Sequence, residues 1–120
     1  VLAPGGALVA IEPDYGGMME YPELGLRELW LNALSRSGAE PLVGRRLPEL
    51  CERAGLDVWV ELAHIPRVAE GAAVGLLEGL ELTTDERERV AAVRQQVGSM
   101  PGAWSPLLHV PYFLVVAEKR

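Results

Sequence analysis

Three short apolar runs constrain this chain more than any other feature. ALVAIE at residues 7–12, VWVELAHI at 58–65 and YFLVVAEK at 112–119 are strand-like in length and rich in β-branched or aromatic residues. The first lies between Pro4-Gly5-Gly6 and Pro13-Asp14 and is almost continuously apolar, which reads as a strand buried on both faces. After it, Leu26, Leu29, Trp30, Ala33 and Leu34 recur at helical spacing, predicting a helix from Pro22-Glu23 to about Ser37, stopped by Gly38. A second, shorter helix is expected in LPELCERAGL, with Pro48 in its first turn and Gly55 just past its end. Residues 70–82 and 85–97 read as two more helices, the latter opened by Thr83 with Glu86 three residues on, a capping-box pattern. Gly71, Gly75 and Gly79 mark the former as a weak helix with one small-residue face, and SMPGAWSP at 99–106 reads as an irregular loop. Strand, two helices, strand, two helices, strand is an α/β order within a single domain, residues 1–120.

Charge and cysteine content narrow the classes of partner. Seventeen acidic residues against eleven basic ones leave a formal charge of −6, no footprint for a nucleic-acid backbone. A single cysteine, Cys51, permits no internal disulfide and no cysteine-cluster metal site, which fits a cytoplasmic protein, and it reads as a small buried apolar residue. No apolar run approaches the roughly 20 residues of a membrane span. The opening Val1 and the early Pro-Gly-Gly turn predict a piece of a longer protein.

The wording of two segments is more specific than their pattern. LAPGGALVAIEPD, followed by GAEPLVGRRLPELCERAGLDVWVEL, resembles the second half of class I S-adenosylmethionine-dependent methyltransferases of the small-molecule type. In that family a leucine-x-Pro-Gly-Gly turn, here Leu2 to Gly6, leads into the fifth strand, and a short helix ending in Ala-Gly-apolar, here Ala54-Gly55-Leu56, precedes the sixth. The resemblance covers essentially the whole chain. It implies a partial Rossmann-like sheet of three strands with about four helices. Their order is one-three-two, the third antiparallel between the other two. It also implies methyl transfer from S-adenosylmethionine to a small, partly apolar acceptor by the intact protein. The family's cofactor site, a glycine-rich turn after its first strand and an acidic residue ending its second, has no counterpart here. Gly5-Gly6 and Gly16-Gly17 lack the strand-turn-helix context such a loop requires. The chain alone is therefore expected neither to bind S-adenosylmethionine nor to be active.

Ligands of open α/β sheets sit beyond the carboxyl ends of parallel strands, which points to Glu12, Asp14 and Tyr15 after the first strand and His64 after the second. An antiparallel third strand, beginning at His109 to Tyr112, brings His109 to the same rim. Glu12, Asp14 and His109 are the candidate catalytic residues, a general base and its orienting partners. Tyr15, Met18, His64 and Trp104 are the candidate substrate-binding residues, with residues 15–22 and 99–106 as lids and Trp30 as helix core. Arg45 and Arg46 read as solvated, and no metal-ligand spacing occurs.

A competing reading is a non-catalytic α/β binding or dimerisation module. Both readings predict self-association. ALVAIE carries no internal lysine or proline to block edge pairing, so a homodimer is expected through residues 7–12 or nearby exposed apolar faces.

Overall fold

The computed structural model describes residues 2–63, 67–68, 71–102 and 106–120. In chain order its elements are β1 (Ala7–Pro13), a 3-10 turn (Tyr15–Gly17), β2 (Met19–Tyr21), α1 (Leu26–Arg36), α2 (Val43–Arg53), β3 (Asp57–Ala63), β4 (Arg67–Val68), α3 (Gly71–Glu78), α4 (Thr84–Gly98), β5 (Leu107–His109) and β6 (Tyr112–Glu118). The three apolar runs form one sheet in the order β1-β6-β3. Strand β6 is antiparallel to both neighbours, with Ala10 and Val60 flanking Val115, so β1 and β3 are parallel to each other. This is the strand order the sequence led us to expect.

Helix α2 covers one face of that sheet. Directly paired residues share a face, so Val58, Phe113, Val115 and Ala117 lie together, and Leu47, Cys51 and Leu56 pack onto them as a small core. Gly44 brings the helix close: a Cβ there would stand 2.9 Å from the carbonyl oxygens of both Glu12 and Pro13. Its partner elements form a second core, where Leu26, Leu29, Trp30 and Ala33 of α1 meet Val74 and Leu77 of α3 and Val90 and Val93 of α4. Met18 and Leu108 close that core from the side of a second small sheet, ordered β2-β5-β4.

Several expectations change. Strand β1 is not buried on both faces: Val9 is 63% and Ile11 66% exposed, because among the described residues only α2 packs on the sheet and β1 is an edge. Helix α1 starts at Leu26, not at Pro22-Glu23, because the Glu20 carboxylate of β2 accepts hydrogen bonds from the backbone N–H groups of Leu24, Leu26 and Arg27 at 3.0–3.1 Å. Those are donors a helix start leaves unpaired, and a side chain from outside the helix satisfies them. Helix α2 begins at Val43, placing Pro48 inside it. Residues 15–22 and the segment after 106 are not plain loops, since Met19 pairs with His109 and Tyr21 with Leu107.

The capping box stands as read: Thr83 N–H donates to Glu86 Oε2 at 2.8 Å and Glu86 N–H to Thr83 Oγ1 at 3.2 Å. Glu86 does more than cap α4. Arg36, at the end of α1, donates to both its carboxylate oxygens at 2.8 Å and to the Glu81 carbonyl at 2.6 Å, tying α1 to the start of α4. The Arg36 guanidinium, and then the Thr83 N–H, hold the Glu86 carboxyl at about 2, below its ordinary 4.5. A carboxyl whose folded value is depressed contributes stability that is complete above its unfolded value and is lost as pH falls through the folded one. Glu86→Gln should therefore lower the melting temperature at neutral pH and flatten the loss of stability between pH 4.5 and about 2. Thermal unfolding of both proteins across that range checks it; parallel acid limbs would refute the assignment.

Candidate functional site

The antiparallel setting of β6 brings the candidate residues to one end of the sheet. Strand β1 ends where β6 begins, with Glu12 opposite Phe113 and Pro13 opposite Tyr112, and Ala63 at the end of β3 also pairs with Tyr112. Asp14 N–H donates to the Pro111 carbonyl at 2.9 Å, joining the exit of β1 to the link between His109 and β6. Glu12, Asp14, Tyr15 and His109 thus share one rim although up to 97 positions separate them in sequence. The third strand starts at Tyr112, as the run at 112–119 predicts, and His109 lies outside it, buried at the end of the unexpected short strand β5, opposite Met19. His64 and Trp104 lie outside the described residues.

Asp14 is the most deeply set of these groups, 3% exposed. Arg45 of α2 grips it through Nε, at 2.9 Å from Oδ1 and 3.0 Å from Oδ2, and through Nη2, at 2.6 Å from Oδ2. A guanidinium fork matches a carboxylate in geometry as well as charge, and the bond raises the Arg45 pKa above its ordinary value. Arg45 is therefore a rim residue and not merely solvated. Arg46, by contrast, pairs with Glu40 at the surface. With both oxygens engaged, Asp14 is placed to hold α2 against the exit of β1 and suits positioning better than proton transfer.

The turn after Asp14 is closely packed. A Cβ on Gly17 would stand 2.7 Å from Pro111 Cγ and 2.9 Å from Asp14 Oδ2, and one on Gly16 would run into the Leu42 side chain. Here the glycines admit the chain's own neighbours, whereas a nucleotide-type loop leaves its glycines open to a ligand. The space beside Gly16 and Gly17 is therefore filled by the chain's own side chains.

Tyr15 stacks on Trp30, ring centres 5.0 Å apart at 21°, so the rim rests directly on α1. Burial first, and then the neighbouring Tyr112, push the Tyr15 phenol above its ordinary pKa, keeping it a neutral hydrogen-bonding group at pH 7. Met18 is buried in the helical core and also borders a cavity of about 290 Å³, shared with Met19, Glu20, Glu23 and Arg27. Trp30 is core, as expected. Among the described residues no group of three metal-binding side chains converges, and no helix is long and apolar enough to cross a membrane. Arg45 and Glu20 escaped sequence reading because their partners lie 31 positions away and beyond the start of a helix, respectively, where no local pattern links them.

Removing Arg45 leaves a buried carboxylate without its counter-charge. Arg45→Ala should cost about 2 kcal/mol, reduced from the value for a fully buried pair because the guanidinium is partly solvated, and Arg45→Lys should cost less. Chemical denaturation measures both. A loss for Arg45→Ala below about 0.5 kcal/mol would place the pair among ordinary surface bridges.

No protein-family model and no curated protein matches the chain.

Proposed function

We propose that this chain is the C-terminal part of a class I S-adenosylmethionine-dependent methyltransferase. It would supply the edge of a Rossmann-like sheet together with the acceptor side of the active site. The observation that supports this most is the sheet itself: a last strand inserted antiparallel between two parallel ones, entered through Leu2-Ala3-Pro4-Gly5-Gly6, in the arrangement the resemblance implies. In this reading the rim binds a small, partly apolar acceptor. Tyr15 and Met18 contribute apolar and hydrogen-bonding surface, with His64 and Trp104 as further acceptor contacts. Glu12 and His109 are the candidates for general base and orienting partner, and Asp14, through Arg45, positions the rim. Cofactor binding falls to residues that this chain does not supply, so no step through the cofactor is derived from it.

A non-catalytic binding or dimerisation module is the second reading, favoured by the bare face of the main sheet. Two measurements separate the readings. Calorimetric titration of S-adenosylmethionine into the 120-residue chain should give no binding heat, and micromolar affinity would overturn the assignment of cofactor binding elsewhere. The native protein should be about twice this length, carry a glycine-rich strand-turn-helix ahead of Val1 and methylate a small acceptor. A native protein of this length alone would favour the module.

A further inference from the structure

The sheet has a second face, and nothing among the described residues packs on it. The register places Val9 and Ile11 of β1, Tyr112, Leu114 and Val116 of β6, and Trp59 of β3 together on the side away from α2. Ile11 is 66%, Val9 63% and Trp59 55% exposed, a contiguous apolar surface and not scattered single residues. The surface of the whole chain is also too large for its mass. It exposes 7494 Å² where a compact monomer of 13.0 kDa exposes about 6,300 Å². Its radius of gyration is 17.1 Å against about 14 Å for a compact domain of this length. The excess of about 1,200 Å² is comparable in scale with the roughly 800 Å² that each partner contributes to a stable interface.

We propose that this face is a homodimer interface, on which two copies of the chain pack sheet against sheet. The face is complementary to itself in bulk. Its β1 margin is slim and aliphatic, its β3 margin carries Trp59, and a two-fold axis running along the strands sets the β3 of one copy over the β1 of the other. Trp59 then covers Val9 of the second copy and Glu61 lies at the level of its Ile11, on the open edge of β3 from which the carboxylate reaches solvent, while Leu114 and Val116 meet their counterparts near the axis. That axis also keeps the two Glu61 carboxylates apart, whereas an axis across the strands would set them face to face. Glu61 and Glu118, both exposed, stay at the margin and the end of the face, where interface rims remain wet. The proposal stands on the sheet face and not on the methyltransferase reading.

Sedimentation of the full chain tests it. The wild type should be a dimer at micromolar concentration. Ile11→Glu and Trp59→Lys, at positions already exposed in the monomer, should each weaken association at least about tenfold with unchanged circular dichroism, because the first sets a like charge against Glu61 of the second copy and the second puts an unpaired charge where the indole was buried. A monomeric wild type overturns the proposal without any variant. So does a dimer broken by Ile11→Glu but not by Trp59→Lys, which would mark edge-to-edge pairing of β1, as does a dimer that both variants leave intact.

Discussion

Strand β6 is the element on which the sheet depends. Strands β1 and β3 make no ladder with each other; each pairs only with β6, whose Val115 and Ala117 are fully buried beneath α2. The strand that joins them is the last in the chain, so the sheet requires contacts between residues 7 and 118, near opposite ends of the sequence. Long-range pairing of this kind meets its loop-closure entropy before the contacts that offset it are complete. The apolar continuity of YFLVVAEK is what makes the insertion worthwhile, since its side chains face α2 on one side and the open face on the other.

The direction of β6 also decides where chemistry can gather. Being antiparallel, it starts where β1 ends, and Pro111, in the short link between His109 and β6, accepts a hydrogen bond from the Asp14 N–H. The Asp14–Arg45 fork then locks α2 to that corner, while Gly44 lets the helix approach the carbonyls of Glu12 and Pro13. The rim is thus braced from the sheet, from α2 and, through the Tyr15–Trp30 stack, from α1. Side chains held this way lose little freedom when a ligand arrives, which is what the proposed acceptor site would require.

Two cores rather than one run through the chain, one between α2 and the main sheet and one among α1, α3 and α4. The first is small because α2 covers a single face, and the consequence is apolar surface left open on the other. The second is closed by polar devices at its ends, Glu20 at the start of α1 and Arg36–Glu86 between α1 and α4. The helical lobe is therefore closed at both ends of α1, whereas the sheet leaves one apolar face open among the described residues.

Periodicity alone made the helices and the three long strands legible, because apolar spacing reports which faces are hidden whatever hides them. The capping box at Thr83 and Glu86 was equally local and equally readable. The gathering of Glu12, Asp14 and His109 at one end followed from strand order, which came from family likeness and not from periodicity. What the sequence could not express were links whose partners are distant in the chain: Arg45 on Asp14, Glu20 beneath α1, and Met19 paired with His109. The edge position of ALVAIE also followed from that likeness, but which of its faces stays bare did not, since an apolar run states only that its residues avoid water. Which neighbour removes the water is decided in three dimensions, by the packing of elements that no stretch of sequence contains.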